Sequence, residues 1–289
     1  MTKSTRILLA LLGFTLAACT GNTSQQQTDT KPDTFMSGNG RKTSSSGYQS
    51  TGDASLLKIS LPGSVSNSTV NYDHITVYWN PKLRQPNCVA YELTATQVSM
   101  GDAPDAEKRS DYNFNRDTKV KNCPDWWEYK NTDFDRGHMA PAMDMKWNKD
   151  AMEQCFLMTN ICPQNHKLND GAWRHTEEAI HSWARKSKRL VIFTGPIFNG
   201  SLRYTGKHNN IAIPTGFFKV VYAPEQKRAI AFLHENKPAR QSWTRYAVTI
   251  DSVESVTGIN FLAALPDNIE DAVESRQDIR QWPTYTPKR

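Results

Sequence analysis

The stretch DFDRGHMAPAMDMKW (133–147) places an acid, an arginine, a glycine and a histidine side by side. A neutral histidine accepts a proton near pH 7, arginine binds phosphate oxygens through forked donors, and glycine lets a backbone approach closely. A surface ion pair between Asp135 and Arg136, a turn at Gly137 and a packed His138 would also explain these four residues. The surrounding sequence must therefore decide between a site and an ordinary turn.

A second polar stretch, FLMTNICPQNHKLNDGAWRHTEE (156–178), follows and offers Asn160, Gln164, Asn169 and Glu177. Asn169 and Glu177 are eight positions apart on a predicted helix, which leaves their side chains about 80° apart and roughly 12 Å along the axis. Because helical side chains lean toward the N-terminus, Glu177 leans back toward Asn169. Asn169 can therefore bind a metal directly while Glu177 acts through water, an arrangement that suits Mg²⁺. Asn169 is also a plausible N-cap of the helix.

Strands and helices are mixed along the chain without a repeating strand–helix–strand order. Alternation and β-branched content predict strands, and apolar residues at spacings of three and four predict helices. The predicted strands are 74–80, 88–98, 189–198, 217–224 and 228–236, the last two forming a hairpin, and the predicted helices are 169–187 and 269–277. This pattern predicts an α+β fold with a central antiparallel sheet flanked by helices.

The first fifty-five residues differ in composition from the rest of the 289-residue chain. Residues 1–18 have two cations before an apolar run, and the sequence LAAC (16–19) follows at its end. This is typical of a signal peptide that precedes a lipidated cysteine, here Cys19. Residues 19–55 are rich in Ser, Thr, Gln and Gly, which predicts a flexible tether. The folded domain is predicted at 56–289. We expect an exported protein that is lipid-anchored at the outer membrane, facing the periplasm or the cell surface.

Cysteine usage fits an exported chain. Four cysteines remain after Cys19: Cys88, Cys123, Cys155 and Cys162. An even number in an oxidising compartment favours disulfides, whose pairing the sequence does not choose. Buried free thiols and a zinc site are the alternatives, and the absence of any CxxC spacing counts against zinc.

Together the two polar stretches resemble the DNA/RNA non-specific endonuclease family, the ββα-metal nucleases that include endonuclease G-like enzymes. The family pattern stands here as DRGHMAP and TNICPQNHKLNDGAWRHTE, with the internal spacing preserved. The resemblance extends over about residues 70–270 through RSDYNF, VIFTGPIF and VTGINFLAALPD. Thr159 and Thr176 depart mildly from the pattern, and neither replaces a reacting group. The resemblance implies a ββα-metal finger as the active site.

The resemblance also implies a role for each matching position. His138 corresponds to the general base and Arg136 to an arginine near the phosphate. Asn169 corresponds to the metal ligand for Mg²⁺ or Mn²⁺, and Glu177 to the carboxylate that orients the metal's waters. Three weaker assignments complete the set: Arg109 as a second phosphate-binding arginine, with Arg116 as its competitor, Asn160 as a residue that steadies the site, and Asp135 as structural.

The implied activity is hydrolysis of phosphodiester bonds in DNA and RNA with little sequence specificity, leaving 5′-phosphates. A net charge of +6 fits a polyanionic partner without requiring one. The alternatives are a catalytically inactive nucleic-acid-binding lipoprotein and an exported scaffold for another ligand. A homodimer is possible. Cations at 182–189 would extend nucleic-acid binding, or else form a solvated helix end. The tryptophans of DWWEY (125–129) would stack bases, or else belong to the core or to a groove wall.

Overall fold

The computed structural model describes residues 54–239 and 241–287, so the predicted signal peptide, Cys19 and nearly all of the tether lie outside the described residues. The strands are β1 (Ser68–Asn71), β2 (Thr76–Asn80), β3 (Gln85–Thr94), β4 (Phe134–His138), β5 (Ile161–Asn165), β6 (Arg189–Ile197), β7 (Arg203–Thr205), β8 (Ile211–Ile213), β9 (Gly216–Ala223), β10 (Arg228–Glu235) and β11 (Ala247–Val248). The helices are α1 (Ala95–Gly101), α2 (Lys149–Cys155), α3 (His166–Leu168), α4 (Arg174–Ser187), α5 (Ile250–Thr257) and α6 (Asp267–Glu274). No helix of the described part is long and apolar enough to cross a bilayer.

Seven strands form one antiparallel sheet in the order β1-β2-β3-β6-β9-β10-β11. Side chains alternate between its faces, so Leu190 and Ile192 of β6 pack in one apolar cluster while Val191 and Phe193 pack in the other. The first cluster includes α4 and the region around β4 and β5, and the second includes α5. The predicted antiparallel α+β fold is confirmed.

β4 and β5 form a separate antiparallel pair, and the chain passes from β5 directly into the helical segment that ends with α4. Asn165 is the N-cap, since its side chain accepts hydrogen bonds from the amides of Lys167 and Leu168. A π-turn, Asn169–Trp173, then leads into α4. The N-cap role considered for Asn169 was therefore wrong, because the helical segment begins four residues earlier.

The strand predicted at 88–98 ends at Thr94, where α1 begins. Thr94 Oγ1 accepts from the Gln97 amide at 3.2 Å, and Gln97 Oε1 accepts from the Thr94 amide at 2.7 Å. This reciprocal capping box satisfies two backbone donors and starts a helix despite the β-branched sequence before it. The predicted hairpin of β9 and β10 is confirmed, with a left-handed turn at Lys227.

The disulfides favoured from composition are not formed: Cys88, Cys123, Cys155 and Cys162 are buried free thiols. Cys88 packs in one apolar cluster and the other three pack in the cluster on the opposite face of the sheet. The sheet therefore separates Cys88 from every partner. Burial raises the pKa of each thiol, which leaves all four protonated and unreactive.

Candidate active site

The β4–β5 ladder aligns the two polar stretches of the sequence. Gly137 pairs with Cys162 and His138 with Ile161. A Cβ added at Gly137 would lie 2.2 Å from Gln164 Oε1 and 2.6 Å from Gln164 Cβ. The glycine is therefore needed because the Gln164 side chain occupies the space beside it. The close approach expected there is to the opposing strand, not to a substrate.

His138 lies at the end of β4 among aromatic rings. Its imidazole is 5.3 Å from the Phe114 ring and 5.0 Å, edge on, from the Phe156 ring. Burial, followed by the charges of Arg109 and Arg136, lowers the pKa of His138 to about 3. Its Nε2 atom has no hydrogen-bond partner among the described residues. The ring is therefore neutral throughout the physiological pH range, as a proton acceptor must be.

Asn169 is oriented by Asp135. Its Nδ2 donates to Asp135 Oδ2 at 2.8 Å, and the same carboxylate oxygen lies 2.9 Å from His166 Nδ1. The bond to Asp135 raises the pKa of the exposed His166, so this imidazole gains positive charge beside the acid. Because the amide nitrogen faces Asp135, the amide oxygen of Asn169 is the atom left for a ligand.

Glu177 lies on the first turn of α4 beside a buried cation, Lys219 of β9. Lys219 Nζ is 3.2 Å from Glu177 Oε1, an ion pair that lacks the geometry of an aligned hydrogen bond. The ammonium donates to Met139 O at 3.0 Å and to Thr194 Oγ1 at 3.3 Å, and lies 4.3 Å from the centre of the Trp173 ring. A carbonyl acceptor and an aromatic face both favour the charged form of the amine.

Burial raises the pKa of Glu177 to about 7, and Lys219 opposes this rise. Burial also lowers the pKa of Lys219, against the attraction of Glu177 and Asp144. The pair thus holds a carboxylate that titrates near neutrality. Sequence reasoning missed Lys219, although a lysine inside the apolar strand FFKVV is a detectable signal, because a buried charge requires a partner.

Two arginines face the His138 ring from different segments. The Arg136 guanidinium lies 4.6 Å from the Phe114 ring centre, and that of Arg109 lies 5.6 Å from the Phe156 ring centre. Arg116, the competitor of Arg109 in the sequence, instead pairs with Asp125 at 3.5 Å. The structure therefore brings Arg109 and Arg136 to the histidine and places Arg116 elsewhere.

Asn160 is fully buried and binds only backbone. Its Nδ2 donates to Ala140 O at 2.9 Å and Cys155 O at 2.8 Å, and its Oδ1 accepts from the Ala140 amide at 2.9 Å. These three bonds hold the chain immediately after His138 against the end of α2. Asn160 is thus placed to fix the position of the imidazole, and it does not reach the cleft.

Of these residues, Arg109, Asp135, Arg136, His138, His166, Asn169 and Glu177 open onto one cleft of ≈ 330 Å³. It is lined by Arg109, Asp135, Arg136, His138, Pro141, Ala142, Met143, His166, Asn169, Asp170, Arg174 and Glu177. Arg174 was not among the predicted site residues, and it is paired with Glu178 at 2.7 Å and with Asp170 at 3.2 Å. The cleft therefore combines a neutral base, oxygen donors and two guanidinium groups, those of Arg109 and Arg136, that have no ion-pair partner among the described residues. This is a set of groups suited to phosphate chemistry.

The chain's residues 52–268 match the family model described as "DNA/RNA non-specific endonuclease". The chain belongs to the DNA/RNA non-specific endonuclease family. The family and enzyme class expected from the sequence are thereby confirmed.

Relatives within this group span fungi, animals and bacteria. The chain is 27% identical over 235 residues to "Nuclease 1, mitochondrial" of Schizosaccharomyces pombe, covering 73% of this chain and 70% of that protein. It is 28% identical over 222 residues to human "Endonuclease G, mitochondrial", covering 72% and 73%. It is 30% identical over 210 residues to a "Nuclease" of Nostoc, covering 66% and 72%.

A solved structure supports the fold of this endonuclease-family chain. The crystal structure of an EndoG/EndoGI complex contains a chain that superposes with a TM-score of 0.67 at 22% identity, covering 76% of this chain and 95% of that one. The likeness confirms the architecture, including the strand pair followed by a helix that carries the candidate site.

Proposed function

We propose that this chain is a divalent-metal-dependent endonuclease that hydrolyses phosphodiester bonds of DNA and RNA with little sequence specificity and leaves 5′-phosphates. The observation that carries the proposal is a neutral His138 facing the same cleft as the Asn169 amide and Glu177, with two arginines beside it. The family membership supports the nuclease class. The proposal adds the metal, the base and the products.

The cleft residues fit a hard cation. The amide nitrogen of Asn169 donates to Asp135, so the amide oxygen of Asn169 is available for a cation. Glu177 lines the same cleft, and one of its carboxylate oxygens, Oε1, is paired with Lys219 at 3.2 Å. Within the described part of the chain, the only three-acid cluster of ligand geometry is Asp251–Glu254–Glu274, on α5 and α6. The cleft therefore offers few protein ligands. That favours Mg²⁺ or Mn²⁺, which keep several waters when bound.

In the reaction, Asn169 would hold the ion directly and Glu177 would hold it through water. An ion bound there would supply positive charge next to the leaving 3′-oxygen. His138 accepts the proton of the attacking water, which its neutral ring can do without first losing one. Arg109 and Arg136 neutralise the non-bridging phosphate oxygens as charge builds up on them. Asn160 keeps the backbone after His138 in place and touches no reacting atom.

Low sequence specificity follows from which groups face the substrate. The cations beside His138, Arg109 and Arg136, carry guanidinium groups, which bind phosphates and read no bases at that position. Binding of this kind releases counterions and weakens as salt rises. We therefore expect activity on both DNA and RNA that falls steeply with ionic strength.

The test is cleavage of supercoiled plasmid and total RNA by the purified chain with Mg²⁺, with EDTA, and by His138→Ala. His175→Ala is a matched control, since His175 lies on α4 and does not line the cleft. We expect cleavage of both substrates, dependence on the ion, and loss only in His138→Ala. If the folded chain binds nucleic acid but cleaves nothing with any divalent ion, the inactive binding protein is the correct alternative.

We further propose that the domain is exported and lipid-anchored at the outer membrane through Cys19, on the basis of the LAAC sequence. Incorporation of labelled fatty acid into the wild-type chain, and its loss in Cys19→Ser, tests the anchor. The possible homodimer stays a prediction, and light scattering of the purified chain measures it.

A further inference from the structure

A second cleft, larger than the first, lies between two loop-rich walls. We call it the aromatic cleft; it has a volume of ≈ 840 Å³. It is lined by Trp127, Lys130, Asn131, Thr132, Asp133, Phe134, Arg203, Tyr204, Thr205, Gly206, Lys207, Asn209 and Ile213. Three cations and one acid thus line the space together with three aromatic residues, of which Trp127 and Tyr204 are exposed.

The aromatic side chains at this cleft are unusually exposed. Trp126, Trp127 and Tyr204 expose 38%, 36% and 40% of their surface, and they are among the most exposed large apolar side chains of the described residues. Lys207 Nζ lies 5.0 Å from the Trp127 ring centre, and Lys130 Nζ lies 4.6 Å from that of Trp126. Proteins bind single-stranded nucleic acid with two components, exposed aromatic rings that stack on bases and cations that bind the backbone. Both are present here.

Polar contacts join the two walls of the cleft. Arg84 donates to both oxygens of Glu128, at 2.9 and 2.8 Å, and also bonds Asn210. The Lys207 amide donates to Glu128 O at 3.0 Å. Gly206 has φ +87°, and a Cβ there would lie 2.8 Å from Ile211. These contacts fix the tryptophan segment against the β7–β8 turn, so the cleft is pre-formed.

Trp126 connects the aromatic cleft to the catalytic cleft. Its ring centre lies 4.6 Å from Lys130, which lines the aromatic cleft, and 5.9 Å from the guanidinium of Arg136, which lines the catalytic cleft. β4 makes the same connection, with Phe134 in one cleft and His138 in the other. Four residues of strand span about 13 Å, which is the length of roughly four stacked nucleotides.

We propose that the aromatic cleft binds a single-stranded segment of the substrate adjoining the scissile phosphate, with bases stacked on Trp127 and Tyr204 and phosphates held by Lys130, Arg203 and Lys207. This inference rests on the proposed nuclease function and adds a second binding region to it. A single strand is the occupant because its unpaired bases expose the faces that aromatic stacking requires. A duplex would present only its backbone to the same rings.

The test measures binding by fluorescence anisotropy, using the full chain in a His138→Ala background so that the probe is not cut. The probes are a labelled single strand of about 16 nucleotides and a labelled duplex of the same length. Trp127→Ala removes stacking and Trp127→Phe retains it. We expect Trp127→Ala to weaken binding of the single strand about fivefold or more, to weaken the duplex much less, and Trp127→Phe to restore most of the affinity.

Salt dependence gives an independent measurement. Between about 50 and 200 mM salt, each phosphate contact to a single strand contributes about 0.7 to the slope of log affinity against log salt. Lys130→Ala combined with Lys207→Ala should therefore reduce the slope by about 1.4 for the single strand. Lys119→Ala is the matched control, because Lys119 also lies over an aromatic ring, 4.4 Å from that of Tyr72, and lines neither cleft. The control should leave the slope within error of the parent.

The outcomes separate this inference from the proposed function. If the wild-type chain cleaves plasmid and RNA but Trp127→Ala binds every probe like the parent, the aromatic cleft is not a substrate site. If Trp127→Ala weakens the duplex and the single strand equally, the single-stranded occupant is wrong. Failure of the wild-type chain to cleave any nucleic acid is instead a failure of the nuclease function itself.

Discussion

Replacing Lys219 with methionine should move the acid limb of the activity profile without destroying the site. The side chains have similar length, so the buried space stays filled while the charge facing Glu177 is removed. Breaking a buried ion pair ordinarily costs about 3–5 kcal/mol because one charge is left uncompensated. Glu177 avoids much of this cost by taking up a proton, since burial already raises its pKa to about 7.

The size of the shift follows from the 3.2 Å distance between Lys219 Nζ and Glu177 Oε1. At an effective dielectric constant of about 20, this pair interacts by roughly 5 kcal/mol, and opposite charges at such distances commonly shift a pKa by about 1–3 units. The pKa of Glu177 should rise by that amount in Lys219→Met. At pH 7 the ionised fraction then falls from about half to between about a tenth and a thousandth.

The measurement is kcat/KM against pH for wild type and Lys219→Met at saturating Mg²⁺. A bound cation lowers the pKa of Glu177 in both proteins, so the displacement between the two profiles is the quantity to compare. We expect the acid limb to move up by about 1–3 pH units, with activity recovering above it. Thr194→Val is the control, since it removes one hydrogen-bond acceptor of Lys219 and no charge. Superimposed limbs, or a loss that alkaline pH does not reverse in a folded variant, would refute the reasoning.

Three further predictions concern residues of β4. Asp135→Asn should weaken Mn²⁺ binding about 10–100-fold, because Asp135 orients the side-chain amide of Asn169. His166→Ala, which removes an exposed partner of the same acid, should change Mn²⁺ binding little. Calorimetry measures both affinities, and equal losses would contradict the role given to Asp135. Gly137→Ala should lower the free energy of unfolding, measured in urea, by about 1–3 kcal/mol, because its Cβ would lie 2.2 Å from Gln164 Oε1 on the opposing strand. Gly63→Ala is the control and should be near neutral, because a Cβ at Gly63 meets nothing within 4 Å. The free energy of unfolding should fall as pH drops from 6.5 toward 3, because His138 is protonated near pH 6.5 in the unfolded chain and only near pH 3 in the folded chain. This one group contributes up to about 5 kcal/mol to the change. If the free energy of unfolding depends on pH in the same way in His138→Asn, His138 does not contribute.

Much of the fold was predictable because local patterns and burial agree. The apolar run of β6 is central and buried, and the β9–β10 hairpin forms where Pro224–Lys227 interrupts two apolar segments. The spacing of Trp173, Thr176, Ile180 and Trp183 marks the side of the helical segment that is buried. Such elements need only the alternation of apolar and polar residues, which the chain carries locally.

The errors arose where a short polar contact overrides the apolar pattern. Thr94 and Gln97 cap each other and convert the end of an apparent strand into α1. Asn165, not Asn169, caps the helical segment, which releases Asn169 to turn toward Asp135. Which of the two asparagines caps the helical segment depends on backbone geometry. The periodicity of the sequence carries no information about that geometry.

The sequence indicated several of the polar side chains that line the candidate cleft, and it did not indicate Lys219, which pairs with Glu177. His138 and Asn169 stand in a compact motif, whereas Lys219 joins them from a strand eighty residues beyond Met139, whose carbonyl it binds. The partners of a buried charge are set by the sheet order, which the local sequence does not contain. The cysteine prediction failed for a related reason: an even count favours pairing, but the β-sheet separates Cys88 from the other three.

The four buried thiols can also be used to follow the unfolding of the domain. Each is at most 1% exposed, and burial raises the pKa of Cys123 to about 12 and those of the others further. A thiol-specific reagent reacts with thiolate, so labelling requires that the surrounding structure open first. Cys88 samples one face of the sheet and Cys162 the other. Their separate labelling rates would therefore measure how fast each side of the sheet opens. They would show whether the side that carries β4 and β5 opens before the other.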